Sequence, residues 1–226
     1  IALSTPGTYT VTYTTAGTCT NTSTGTITIN ALDDASFSYA KSNYCAADSD
    51  PSATITGLAG GTFSSTAGLV FTDTSSGTID LDGSTPGTYT VTYTTSGTCT
   101  NTAGFELTIT AQDSATISYG SATYCPLESD PTPTITGYAT GTYSSTTGLV
   151  INSATGAIDV SASTSGTYTV SYTTQGSCPI TISTSVQIIE CPDTDGDGVP
   201  DITENSDGTD PNDPCDYVVN SQDASK

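Results

Sequence analysis

The chain has 226 residues, 34% of them hydrophobic, with 23 acidic groups against two basic ones, Lys41 and Lys226, and a formal charge of −21. That charge repels phosphate backbones and anionic lipid, which excludes nucleic acid as a partner and makes divalent cations the natural counter-ions. No apolar run reaches the roughly 18 to 20 residues of a membrane span, so direct membrane insertion is not expected, and with no His or Arg there is neither an imidazole base nor a guanidinium clamp for catalysis.

The first stretch, STPGTYTVTYTTAGTC from Ser4 to Cys19, returns 80 residues on at Ser84 to Cys99 with only Ala16 replaced, by Ser96. A looser third copy runs from Ser163 to Cys178. Near-identity at a fixed period marks a tandem repeat. Within it Tyr9, Val11 and Tyr13 alternate with threonines, the period-two pattern of a half-buried antiparallel strand. Residues 1–31 therefore read as the C-terminal part of a truncated repeat, a piece of a longer chain, with strands over Tyr9–Thr14 and Thr24–Asn30.

A complete repeat is expected over 32–110, with short strands at Phe37–Tyr39, Ala53–Thr56, Thr62–Ser64, Leu69–Phe71, Thr78–Leu81, Thr88–Thr94 and Phe105–Thr110, separated by Gly, Pro, Asp and Ser turns. A second, over 111–190, repeats them at Ile117–Tyr119, Thr134–Thr136, Thr142–Ser144, Leu149–Ile151, Ala157–Val160, Thr167–Thr173 and Val186–Ile189. Seven strands in about 80 residues with a bridging cystine fit an immunoglobulin-like sandwich. Tyr89 after Pro86-Gly87 resembles the tyrosine corner of that fold, its hydroxyl bonding backbone a few residues upstream. The fold class is all-β: tandem immunoglobulin-like sandwiches, ending in an irregular cation-binding segment. The short linkers predict repeats standing end to end as a stalk.

Seven cysteines follow the same period: Cys19 matches Cys99 and Cys178, and Cys45 matches Cys125. The preferred pairing is within each repeat, Cys45 with Cys99 and Cys125 with Cys178, leaving Cys19 for a partner before residue 1. Loops of that size are worth roughly 4 kcal/mol in the chain-entropy model. The rival pairing joins Cys19 to Cys45 and Cys99 to Cys125, freeing Cys178 for Cys191. Either one implies an oxidising, extracellular setting.

From Cys191 the alternation stops, and residues 193–226 hold 10 of the 23 acidic groups. Asp193-x-Asp195-x-Asp197-Gly198, closed by Glu204, has the spacing of a twelve-residue calcium loop. Asp193, Asp195 and Asp197 are its first ligands, the Val199 carbonyl the next, then Asp201, with Glu204 bidentate at the end. Pro192 and Pro200 argue against flanking helices, so the match resembles the thrombospondin type-3 repeat and not an EF-hand. Asp207, Asp210 and Asp213 are candidates for a second ion, and Cys191 with Cys215 are placed to clip the 191–216 segment shut; 217–226 reads as the start of a linker.

Asp48 and Asp50 recur as Glu128 and Asp130, and Asp33 recurs as Asp113; acids that return with the unit favour turn capping over a unique site. Asp33 and Asp34 are a weaker candidate for calcium at a junction. The sequon Asn21-Thr22-Ser23 reads as chance in so Thr-rich a chain, and Asp113-Ser114-Ala115 resembles an O-glycan acceptor motif of Bacteroidota.

The sequence YC followed by a D-P turn, TITG, GTFSS or GTYSS, GLV, GTIDL or GAIDV, then GTYTVTYTT and GTC resembles the SprB-type repeat of Bacteroidota gliding-motility adhesins over 1–190. The acidic tail is similar to calcium segments that precede their secretion domains. The resemblance implies a non-enzymatic cell-surface adhesin stalk, exported by the type IX secretion system, located extracellularly at the outer membrane, rigidified by disulfides and calcium, and partnered by the gliding machinery or other surface proteins. Two alternatives stay open: carbohydrate-binding modules that take surface polysaccharide on Tyr124, Tyr138 and Tyr143, or a spacer in a larger secreted enzyme.

Overall fold

The computed structural model describes residues 4–216; the 217–226 linker segment lies outside the described residues. The chain divides into two compact units, Ile1–Ala111 and Gln112–Lys226.

The first unit opens with a hairpin of β1 (Gly7–Thr14) and β2 (Thr22–Ile29), paired in antiparallel register from Gly7↔Ile29 to Thr14↔Thr22. Eight strands follow: β3 (Phe37–Ser38), β4 (Asn43–Cys45), β5 (Thr54–Ile55), β6 (Thr62–Ser65), β7 (Val70–Asp73), β8 (Thr78–Asp80), β9 (Gly87–Thr94) and β10 (Thr102–Thr110). One layer is a four-stranded sheet in the order β4-β10-β9-β6, and the pairs β3-β5 and β7-β8 supply the other. Along β9 the expected alternation holds. Tyr89, Val91 and Tyr93 face inward against Leu107 and Ile109 of β10 and against Phe63, Ile79 and Leu81, all of them buried. Each such side chain contributes roughly 1.5–3 kcal/mol by leaving water. Outward, Thr88 and Thr108 bond across the ladder at 3.0 Å, a cross-strand pairing that accounts for the threonine-rich composition.

The second unit repeats the plan with β11 (Ala115–Ser118), β12 (Thr123–Tyr124), β13 (Thr134–Gly137), β14 (Gly141–Ser145), β15 (Val150–Ile151), β16 (Ile158–Asp159), β17 (Gly166–Thr174) and β18 (Thr181–Ile188). Its main sheet runs β12-β18-β17-β14, with β11-β13 and β15-β16 opposite. Ile158, Val160, Val170, Val186 and Ile188 fill this core. Both units are thus immunoglobulin-like sandwiches. The strands β4 and β12 were not expected; they are two or three residues long and pair in parallel with the last strand, so no alternation announces them.

The tyrosine corner is present. The Tyr89 hydroxyl donates to the Thr85 carbonyl, and Tyr168 does the same to Thr164 at 2.6 Å. Tyr89→Phe is expected to cost the first sandwich about 1 kcal/mol, read as a lower urea midpoint with unchanged slope. Tyr39 and Tyr119 occupy a second conserved geometry, donating to the Gly77 and Gly156 carbonyls at 2.5 and 2.6 Å. Burial pushes both phenols well above their ordinary value of 10.0. A folded-state pKa raised in this way gives stability that is complete below the unfolded value and is lost as pH rises past it. Both sandwiches are therefore expected to lose stability above about pH 10, measurable as a falling denaturation midpoint in alkaline buffer.

The hairpin departs from expectation. It forms as read, with Tyr9 donating to the Thr5 carbonyl at 2.6 Å. Yet Val11 is 59% and Tyr13 69% exposed, where Val91 and Tyr93, 80 residues on, are at 0%. Strand pairing is encoded locally, whereas burial of this face needs the strands β3 to β8 that lie before β9 in a complete repeat.

The cysteine pairing also needs correction. In the first sandwich Cys45 pairs with Thr110 at the last position of β10, while Cys99 precedes β10 and its carbonyl accepts from Asp33 N at 2.9 Å. The nine residues of β10 hold them about 30 Å apart at the strand rise, whereas a disulfide needs Cα atoms within about 7 Å. Cys19, Cys99 and Cys215 are free thiols. In the second unit Cys125 bonds Cys191, not Cys178, with a Cα separation of 4.9 Å. Cys45 and Cys178 are each disulfide-bonded as well. The Cys45–Cys99, Cys125–Cys178 and Cys191–Cys215 pairs are thus all replaced, and so is the rival set. The period shows which cysteines are equivalent, but the fold puts the early and late ones at opposite poles of a sandwich.

Candidate metal centre

The acidic segment begins where β18 ends. Ile189 N donates to the Tyr124 carbonyl at 2.9 Å, Cys191 is bonded to Cys125, and the loop starts two residues later. Pro126, Leu127 and Ser165 of the sandwich and Asp193, Gly198 and Pro200 of the loop line one cavity.

Within the loop, the Asp193 carboxylate accepts Gly196 N at 2.8 Å and Gly198 N at 3.2 Å. Asp195 accepts Asp197 N at 3.2 Å, and Asp197 accepts Val199 N at 2.7 Å. Carboxylate oxygens of all three aspartates lie within 4.8 Å of one another. Gly198 sits at φ 97°, in the left-handed region that the sharp turn requires. Val199 is buried.

The loop is closed by a helix, contrary to the sequence reading. The helix α1 (Asp201–Asp207) follows Pro200, whose φ of −65° and ψ of 143° set the entry. Proline is compatible with a helix start, where its missing N–H has no partner to lose. Gly208 ends the helix at φ 81°, its N–H returned to the Glu204 carbonyl. This short helix carries Glu204 at 0% exposure. Both of its carboxylate oxygens, with Asp195 Oδ2 and Asp197 Oδ2, are buried without a hydrogen-bond partner. Burial, then Asp195, Asp197, Asp201 and Asp193, raise the Glu204 pKa. Four buried, unpartnered carboxylate oxygens, with no basic residue beside them among the described residues, are costly while charged, and either a cation joining them or protonation of Glu204 relieves that cost.

Asp201 takes another place. Its two oxygens accept Thr194 N at 2.7 Å and Thr194 Oγ1 at 2.6 Å, and its own N–H donates to the Pro192 carbonyl at 2.9 Å. It latches the loop's entry to its exit. Asp210 accepts Asn212 N and Nδ2, both at 3.1 Å, and Asp213 accepts Cys215 N at 3.1 Å. Among the described residues, Asp207, Asp210 and Asp213 are not gathered on a common point.

Elsewhere the recurring acids Asp50, Asp130, Asp33 and Asp113 tie together segments far apart in the chain, where the sequence reading expected local turn caps. Asp50 accepts Leu81 N and Asp130 accepts Val160 N, at 3.0 and 3.1 Å. Asp33 accepts Thr95 Oγ1 at 2.9 Å, Asp113 accepts Gly176 N at 3.0 Å, and Asp34 accepts Ser36 N and Oγ. The structure also gathers Asp50, Asp80 and Asp82, a trio the sequence reading did not single out; the second repeat carries Ser161 at the third place. Of the aromatic candidates, Tyr124 is buried with its hydroxyl accepting Ser121 N, and Tyr143 stacks on Tyr172 at 4.8 Å. Tyr138 is 38% exposed.

The residues present fit a hard divalent cation. Asp193, Asp195 and Asp197 would hold it together with Glu204, and the cation would supply the positive charge that lets the segment close. Two sandwiches of one plan, ending in such a loop, define a protein of tandem immunoglobulin-like β-repeats. No protein-family model and no curated protein matches the chain. The solved structures to which the chain is similar include cadherin extracellular repeats. Mouse cadherin-23 EC22-24 is 13% identical over 81% of this chain and 74% of that one, with a TM-score of 0.26. Human CDH23 EC21-23 is 18% identical over 74% and 68%, with a TM-score of 0.30. Protocadherin gammaB7 EC3-6 is 14% identical over 82% and 60%, with a TM-score of 0.31.

Proposed function

We propose that the chain is a non-enzymatic part of an extracellular adhesin, a series of sandwiches whose terminal segment is rigidified by calcium. The observation that carries the calcium reading is Glu204, fully buried with both oxygens unpartnered beside Asp195 and Asp197. A twelve-residue loop of flexible carboxylates accommodates the six to eight oxygen ligands of calcium better than the strict octahedron of magnesium. Threonine ladders and capped turns make the sandwiches robust spacers. The resemblance to SprB-type repeats supports placement at the bacterial cell surface, export by the type IX route, and a role in gliding adhesion with other surface proteins as partners.

Calorimetric titration of the whole chain with calcium tests the first part: saturable binding at one tight site is expected, and no binding at millimolar calcium overturns it. A glycan array tests the second. Silence across polysaccharides supports the spacer role, whereas binding abolished by Tyr138→Ala replaces it with a carbohydrate-binding module.

A further inference from the structure

The cation loop is fastened to the second sandwich at its first residues. Cys191 lies two positions before Asp193 and is bonded to Cys125, which directly follows β12. On the sandwich side Cys125 is itself held, since Glu128 N donates to its carbonyl at 3.0 Å and Tyr124, its neighbour, is paired to Ile188. On the loop side the Thr194–Asp201 latch and the Asp201–Pro192 bond tie the entry to α1. Pro192, next to Cys191, is itself bonded to Asp201, and only Asp193 separates it from the Thr194 latch, so the covalent link fixes the point from which the acidic loop starts. A cut disulfide would leave the loop joined to β18 by the backbone through Glu190, its internal hydrogen bonds intact but its position on the sandwich less constrained.

Resting on the calcium reading above, we propose that the Cys125–Cys191 disulfide is a positioning element of the cation site, so that its oxidation state sets cation affinity. Thermodynamic linkage makes the coupling reciprocal: whatever factor the bond contributes to calcium binding, calcium returns to the resistance of the bond to reduction. Supports one step outside a metal's ligands typically change affinity by 10–100-fold, and a factor of about ten is expected here.

The test uses the full chain and calcium alone as probe. Cys125→Ser with Cys191→Ser is expected to raise the calcium dissociation constant about tenfold relative to the parent chain, with the sandwich's amide spectrum retained. A second measurement needs no variant. In glutathione buffers, with the bond followed by mass mapping, the midpoint for reducing Cys125–Cys191 is expected to fall by about 30 mV on adding saturating calcium, the equivalent of tenfold for a two-electron couple. Equal affinities in the folded variant, or a midpoint indifferent to calcium, overturn the inference while leaving calcium binding intact. A parent chain that takes up no calcium overturns both.

Discussion

Glu204→Gln is expected to weaken calcium binding by roughly a hundredfold or more, because even residues outside the ligand set change affinity by up to that factor, and at the same time to make the calcium-free tail more resistant to protease. The two effects have opposite signs for one reason. Glu204 is shielded from water, its oxygens have no donors, and the aspartates around it disfavour its charge. With calcium present, that charge is the closing ligand; without it, the charge is an unpaired anion in a buried place, and the neutral amide relieves it. Acid should imitate the substitution. Since the folded-state pKa is raised, the order it lends the calcium-free segment is complete below the ordinary value of 4.5 and fades as pH rises through the elevated one. Limited proteolysis of parent and variant, with calcium and with chelator, at neutral pH and near pH 4, distinguishes the cases. A variant that binds calcium like the parent would remove Glu204 from the site.

Tyr93→Ala and Tyr13→Ala form the second pair, identical changes in identical local sequence. Tyr93 is fully buried, its ring 4.7 Å from Phe63 and 6.0 Å from Phe37. Its hydroxyl donates to the Leu58 carbonyl at 2.7 Å and accepts Gly61 N at 2.9 Å. Truncation leaves a cavity and two orphaned backbone groups, and should cost about 3–5 kcal/mol, enough to unfold a marginal sandwich. Tyr13 is 69% exposed, and its truncation should stay within about 0.5 kcal/mol. Denaturant unfolding of the two variants measures the contrast. Comparable losses at both positions would mean that the hairpin face is covered in solution.

Much of the fold can be read from the residues because its causes are local. Alternation in TYTVTY of β9 and TYTVSY of β17 sets the face of each, and a threonine on the other side needs only its cross-strand neighbour. Pro86-Gly87 and the tyrosine after it suffice for the corner, whose bond spans four residues. The acidic loop is legible for the same reason, since its carboxylates from Asp193 to Glu204 lie within twelve residues. What escaped notice depends on distant partners. The strands β4 and β12 exist because β10 and β18 offer an edge. The role of Asp201 depends on Thr194 taking its carboxylate, and α1 goes unread because Pro200 and Gly208 at its ends read as breakers, whereas they start and stop it.

By itself, then, the sequence determined the repeat, the handedness of each strand's apolar face, the turn chemistry and the clustering of acids into one loop, all set by interactions a few residues long. Tertiary structure alone decided which tyrosines are core and which are bare, and which cysteines meet. Burial and disulfide geometry are properties of where strands lie in space: a nine-residue strand separates Cys45 from Cys99, while one end of the second sandwich brings Cys125 to Cys191 across 66 residues of chain.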